Sequence, residues 1–243
     1  LVHKQHTATR QFLQAVDQIV VLCRWTQDLL LGNGVPADKL HVAPHGLEAL
    51  PPNTVPALDL SPRPLKLAFL GRLDPVKGVE VVIRALRNLP TAPIQLDIYG
   101  VTQPGSESYR DHLLALAAND PRISFHAPLP NTQIVPTLKK YHGLIVPSQG
   151  LETGPLVVLE AFAAGIPVIG SDLGGIAELV ENGVNGLLVD RASAAAWAHA
   201  FDQLLADPHL HATLTANIRP PRLMAAGAHE MLSLYASLVP MSR

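Results

Sequence analysis

Charge is scarce in this sequence. Only 16% of its 243 residues are Asp, Glu, Lys or Arg, against roughly a quarter in an ordinary soluble domain. The 18 basic and 20 acidic residues leave a net charge of −2, and no basic run exceeds Lys139-Lys140. Nucleic-acid affinity rests on many phosphate contacts, so that class of partner is excluded. Aromatic residues, at 5%, are too sparse for a base-stacking platform. The single cysteine, Cys23, allows no internal disulfide and fits a reducing compartment, here read as the cytoplasm. No run of roughly 18 uncharged apolar residues exists to span a bilayer; the most apolar stretch, 156–169, carries Glu160. The chain begins Leu-Val-His-Lys, without an initiator Met or a signal-peptide core, and is read as a piece of a longer polypeptide. What remains is 48% hydrophobic content, enough for a sizeable folded core.

Short apolar runs alternate with helix-period segments along the chain. Strands are expected at 18–23, 40–43, 65–70, 94–99, 123–126, 144–146, 168–169 and 186–189, and helices at 24–31, 79–88, 109–118, 132–141, 155–164, 176–181 and 194–205. The strands are apolar on both faces, as they are when helices cover both sides of a parallel sheet. The alternation predicts an α/β fold: a doubly wound parallel sheet with helices on both faces. Five prolines between Pro51 and Pro64 interrupt it, because proline sustains neither a helix nor an interior strand. Residues 1–64 are therefore read as the end of a truncated amino-terminal domain plus a Pro-rich linker. Residues 65–219 form the principal domain, and 220–243 a carboxyl-terminal amphipathic helix that needs a surface to lie on.

In open α/β sheets ligands sit beyond the carboxyl ends of the strands. After the first strand of the principal domain comes Gly71-Arg72-Leu73-Asp74-Pro75-Val76-Lys77-Gly78, not a Gly-x-Gly-x-x-Gly or Walker pattern. Arg72 and Lys77 are two cations in one strand-to-helix loop, suited to a diphosphate. Pro147-Ser148-Gln149-Gly150-Leu151-Glu152 ends a later strand, and Thr153-Gly154-Pro155 opens the apolar helix that contains Glu160. A carboxylate in so apolar a helix is costly unless it is hydrogen-bonded. Ribose hydroxyls would satisfy it, and so would a neighbouring arginine. The amides from Gly154 to Val157 are the orphan donors of that helix. The eleven histidines, among them His41, His45, His209 and His211, show no convincing metal spacing.

In these segments the chain resembles retaining glycosyltransferases of family 4, the glycosyl transferases group 1, which have the GT-B fold. The likeness is carried by Gly71 to Gly78, by Glu152 and Glu160 with seven residues between them, and by Gly174-Gly175-Ile176-Ala177-Glu178 through Gly186-Leu187-Leu188-Val189. Ala43-Pro44-His45-Gly46 resembles the end of the acceptor-side domain. The resemblance implies that Arg72 and Lys77, with Gly71, hold a donor diphosphate and that Glu160 binds ribose. It places Glu152, Gly154, Pro155, Leu156 and Val157 at the sugar and phosphate. Gly100, Leu129 and Asn131 would line the base pocket. It further implies no metal and no cofactor, the nucleoside diphosphate sugar being the substrate. The hydroxyl acceptor would be bound mainly by the missing amino-terminal domain. The family's usual Gly-Phe-Gly is Thr153-Gly154-Pro155 here, its Asn is His45, and a glycine-rich turn is His126-Ala127-Pro128, changes that bear on sugar identity.

The expectation is thus the donor-binding half of a hexosyltransferase acting with retention, inactive in isolation because transfer needs both walls of the cleft. The alternative is a non-catalytic nucleotide-sugar-binding module on the same scaffold.

Overall fold

The computed structural model describes residues 2–48 and 64–239, with side chains from residue 7 onward. The Pro-rich linker, apart from Pro64, lies outside the described residues. The chain divides into two compact units, residues 1–49 with 222–243, and residues 50–221.

The larger unit is a six-stranded sheet, β3 Leu65–Arg72, β4 Ile94–Val101, β5 Ile123–His126, β6 Gly143–Val146, β7 Val168–Ser171 and β8 Gly186–Val189. All five pairings are parallel, in the order β5-β4-β3-β6-β7-β8. Numbered from β3, this is the 3-2-1-4-5-6 order of dinucleotide-binding folds, and the direction of winding reverses between β3 and β6. There Leu67 lies beside Gly143 and Ala68 beside Leu144.

Helices cover both faces: α3 Val79–Arg87, α4 Glu107–Ala117, α5 Asn131–Leu138, α6 Leu156–Ala164, α7 Gly174–Leu179, α8 Ala194–Ala206 and α9 Pro208–Ala216. Alternate residues of β3 serve different cores. Leu67 and Phe69 join Ile83, Leu86, Trp197 and Phe201 on one face, while Ala68 and Leu70 join Leu138, Leu144, Val158 and Ile176 on the other. Burial on two sides is why the strand sequences carry no polar alternation. Three differences from expectation have local causes. Helix α5 stops at Leu138, not Tyr141, because Lys140 and Tyr141 donate to carbonyls three residues back, at Thr137 and Leu138. Helix α6 begins at Leu156, with Pro155 in an extended conformation as its cap. Helix α9 is additional: Asp207 accepts from the His209 amide at 2.9 Å and Pro208 takes the first turn.

The smaller unit holds α1 Val2–Ala15, β1 Ile19–Val21, α2 Arg24–Gly32, β2 Leu40–Val42 and α10 Met224–Leu238. Strands β1 and β2 are parallel. Lys39 closes the end of α1, donating to the Gln14 and Val16 carbonyls at 3.0 and 2.8 Å. The Leu47 amide donates to Arg222 O at 3.0 Å, and Met224 donates to Leu47 O at 2.7 Å. Gly46 permits this approach, since a Cβ there would sit 2.6 Å from Leu223 C. Glu230 on α10 accepts from His41 Nε2 at 2.9 Å and Arg222 Nη2 at 2.8 Å. The expected terminal helix starts at Met224, not Pro220, and none of its residues is fully buried.

Candidate functional site

The switch point between β3 and β6 gathers the two motifs. After β3, Asp74 Oδ1 accepts the Val76 amide at 2.9 Å and starts a single 3-10 turn, Pro75–Lys77. Gly78 ends it at φ +71°, a conformation glycine adopts without strain. A Cβ at this position would lie 1.9 Å from Pro147 O. The turn is therefore pressed against the loop that follows β6. The contact continues through Gln149, whose amide donates to Val76 O at 2.7 Å. The Gln149 side chain donates from Nε2 to Pro147 O and to Arg191 O, both at 2.8 Å. One side chain thus fastens the loop after β6 to the loop after β8.

These contacts bring Lys77 and Glu152 together. Lys77 Nζ lies 2.5 Å from Glu152 Oε1, and Ser148 Oγ donates to the same oxygen at 2.8 Å. The two side chains are 23% and 21% exposed, so the pair is partly withdrawn from water. The main chain of Glu152 is fixed as well, its carbonyl accepting the Gly175 amide at 2.7 Å. A Cβ at position 175 would stand 2.7 Å from that carbonyl oxygen.

Glu160 projects from the second turn of α6. Burial pushes its carboxyl up, and no described residue makes a hydrogen bond or ion pair with it. The arginine partner weighed from the sequence is thus not among the described residues. At the start of α6, Val158 donates to Pro155 O, and Pro155 has no N–H. Leu156 and Val157 are left as the helix amides with no carbonyl one turn back; Gly154 precedes the cap. Arg72 ends β3 and is exposed, donating through Nη1 to Gln103 Oε1 at 3.2 Å. It makes no hydrogen bond to Lys77, Glu152 or Glu160.

Gly71 and Gly100 are paired across β3 and β4. Gly100 makes room for Leu73, whose Cδ2 would be 2.6 Å from a Cβ there. Leu129 packs at the edge of the second core, and Asn131 is the exposed first residue of α5. Beside them lies a polar network that the sequence reading missed. His126 Nε2 donates to Asp97 Oδ1 at 2.6 Å, Tyr141 donates to Asp97 Oδ2 at 3.0 Å, and Tyr99 and Tyr141 share a 2.7 Å hydroxyl contact. The Tyr99 and His126 rings stack at 4.8 Å. An aspartate inside the apolar strand 94–99 was the available signal, because a buried carboxylate needs partners. Ser148, Gln149 and Gly175 were also given no role from sequence. Among the described residues no group of three His, Cys, Asp or Glu side chains is placed to hold a metal ion. No described helix is long and apolar enough to cross a membrane.

Residues 54–220 match the family model of the glycosyl transferases group 1. The chain belongs to this family. Over 226 residues it is 31% identical to the D-inositol 3-phosphate glycosyltransferase of Xylanimonas cellulosilytica, an alignment covering 86% of this chain and 53% of that protein. It is 34% identical over 152 residues to the protein of the same name from Mycobacterium sp. strain KMS, covering 61% of this chain and 34% of that one. The chain spans between a third and about half the length of these relatives. Sucrose-phosphate synthase from Thermosynechococcus elongatus is similar in structure with a TM-score of 0.82 at 26% identity, covering 97% of this chain and 62% of that one. Anabaena Alr3699/HepE, solved in complex with UDP and glucose, gives a TM-score of 0.81 at 20% identity, with 96% and 66% covered. The architecture is that of the GT-B glycosyltransferases.

Proposed function

We propose that this chain is the donor-binding half of a retaining family 4 glycosyltransferase, taking a sugar from a nucleoside diphosphate to a hydroxyl acceptor. The observation that carries the reading is the meeting of Lys77 and Glu152 at the switch point, where α/β sheets bind nucleotides. The unpartnered, partly buried Glu160 supports it, since two ribose hydroxyls are donors of the kind that such a carboxyl lacks. The relatives named as inositol phosphate glycosyltransferases and the neighbour solved with UDP point to the same substrate class.

In this reading Arg72, Lys77 and the Leu156 and Val157 amides hold the diphosphate, and Glu152 faces the sugar. Gly71 and Gly154 let main chain approach the phosphates; Gly100, Leu129 and Asn131 border the base. The bond from the anomeric carbon to the phosphate oxygen breaks, and its electron pair stays on the diphosphate. The acceptor oxygen bonds to the same face of that carbon and gives its proton to the departing phosphate. Fixed cations stabilise the charge as it develops, which is the task a metal ion performs elsewhere, so a metal-independent reaction without a cofactor is proposed. The acceptor would be held mainly by an amino-terminal domain, and the setting would be the cytoplasm.

Calorimetric titration of the chain with UDP, GDP and ADP and their sugar conjugates tests the assignment. One nucleoside diphosphate series should bind, and Glu160→Ala should abolish most of that affinity. No binding by any of the three would overturn it.

A further inference from the structure

Lys77 stands beside two anions in succession if the proposed function holds: the Glu152 carboxylate, seen 2.5 Å from its Nζ, and a phosphate oxygen of the donor. An ammonium can donate to both at once, but the two anions are then drawn within a few ångströms of each other in a site that is only about one-fifth exposed. Coulomb repulsion there is screened less than on an open surface. The carboxylate is also held by Ser148, four residues earlier on the same loop and itself buried, at 2.8 Å. The Glu152 carbonyl is meanwhile pinned by Gly175. The main chain at Glu152 is thus fixed independently of what its carboxylate meets.

We infer that Glu152 is an internal counter-anion of Lys77 that makes the site discriminate between the nucleotide sugar and the nucleoside diphosphate left after transfer. Both ligands bring a diphosphate that displaces or crowds the carboxylate. Only the nucleotide sugar brings the hydroxyl groups of the transferred sugar to it, the ribose hydroxyls common to both ligands going to Glu160 in the proposed site. The free nucleoside diphosphate brings no such donor to the carboxylate beside the bound phosphate and is weakened selectively. Ser148 is a positioning residue in this scheme, because its hydrogen bond holds the carboxylate oxygen at the Lys77 ammonium. The same carboxylate thus favours capture of substrate, through its contact with the sugar, and release of product, through its charge beside Lys77.

The inference rests on the proposed donor site, and the experiment separates the two. The full 243-residue chain is titrated calorimetrically with UDP and UDP-glucose, GDP and GDP-mannose, and ADP and ADP-glucose. Wild type is compared with Glu152→Gln, Ser148→Ala, Lys77→Ala and the Lys77→Ala/Glu152→Gln double variant. Glu152→Gln is expected to tighten the free nucleoside diphosphate by about threefold or more, the scale of one partly screened charge contact. Binding of the matching sugar conjugate should stay level or weaken. Ser148→Ala should shift the same ratio in the same direction by less. In the Lys77→Ala background the Glu152→Gln effect should vanish, a non-additivity that a merely structural role would not give. Equal effects on nucleotide and nucleotide sugar, or weaker nucleotide binding by both Glu152→Gln and Ser148→Ala, would overturn the inference and leave the donor site standing. A wild-type chain that binds none of the six ligands would remove the donor site and the inference together.

Discussion

The Gln149 side-chain amide donates to the main-chain oxygen of Arg191 at 2.8 Å, while its second contact goes to Pro147 O at the same distance. With its own amide bound to Val76 O, this residue makes one body of three loops, each from a different strand. Gln149→Leu keeps the volume and removes both side-chain donors. It should cost about 1–2 kcal/mol of stability, the scale of carbonyls left without partners, and should weaken nucleoside diphosphate binding by misplacing Lys77. Denaturant unfolding and calorimetry read the two effects. Unchanged affinity in a folded variant would show that the loops hold their places without it.

Gly78→Ala should be more damaging. Its φ of +71° is unfavourable for a residue with a Cβ, and the added carbon would meet Pro147 O at 1.9 Å. A loss of about 2–4 kcal/mol is expected from strain and displacement together, read as a lower melting temperature. Gly183→Ala is the control. Its φ is +76° but nothing lies within 4 Å of a Cβ there, so that variant isolates the backbone part.

Arg72→Ala should weaken nucleoside diphosphate binding by about 1.5–3 kcal/mol, as for one hydrogen bond to a charged group, with little change in melting temperature. Its side chain is exposed and its described partner is Gln103. A variant that binds as tightly as wild type would take Arg72 out of the phosphate site.

Glu160 sets stability against binding. Burial raises its carboxyl above the ordinary range, so the folded chain holds that proton more tightly than the unfolded one. The contribution is most favourable below the unfolded value and is lost as pH rises through the folded value. Glu160→Gln should therefore raise the melting temperature at pH 8 relative to wild type, with the gain shrinking toward pH 4, while binding is lost. A gain that does not depend on pH would contradict this account.

His211 works in the opposite direction. Burial holds its imidazole below the usual histidine range, although its Nε2 donates to His142 O at 2.7 Å. As pH falls through the unfolded value, about 6.5, the unfolded chain takes up the proton first and stability declines toward the lower folded value. Denaturation midpoints between pH 8 and pH 5 should fall less steeply in His211→Gln than in wild type. Parallel slopes would assign the acid sensitivity elsewhere.

The fold was readable because its strands are apolar on two faces and its breaks fall at glycine and proline. The run 65–70 and the helix after Gly78 follow from those two facts. Helix α9 was missed although Asp207-Pro208 is a start signal, because it follows α8 with no strand between them and so falls outside the strand–helix alternation. Lys77 and Glu152 were legible as members of spaced motifs. Their contact was not, since it depends on the reversal of winding that places β3 beside β6. Gln149 was invisible for the same reason: a glutamine becomes a fastening only when the Arg191 carbonyl, far along the chain, lies within its reach. Asp97 is the contrary case, a buried carboxylate in an apolar strand, whose need for partners is written locally.

The pairing of Leu67 with Gly143 and of Ala68 with Leu144 has a kinetic corollary. Loop closure over that much intervening chain is slow compared with local helix formation. Lys77 and Glu152 then acquire their relative geometry only as the central strands dock. During refolding, ligand-binding competence should return in the final phase, after far-ultraviolet circular dichroism has largely recovered, so that nucleotide capture reports completion of the sheet and not its onset.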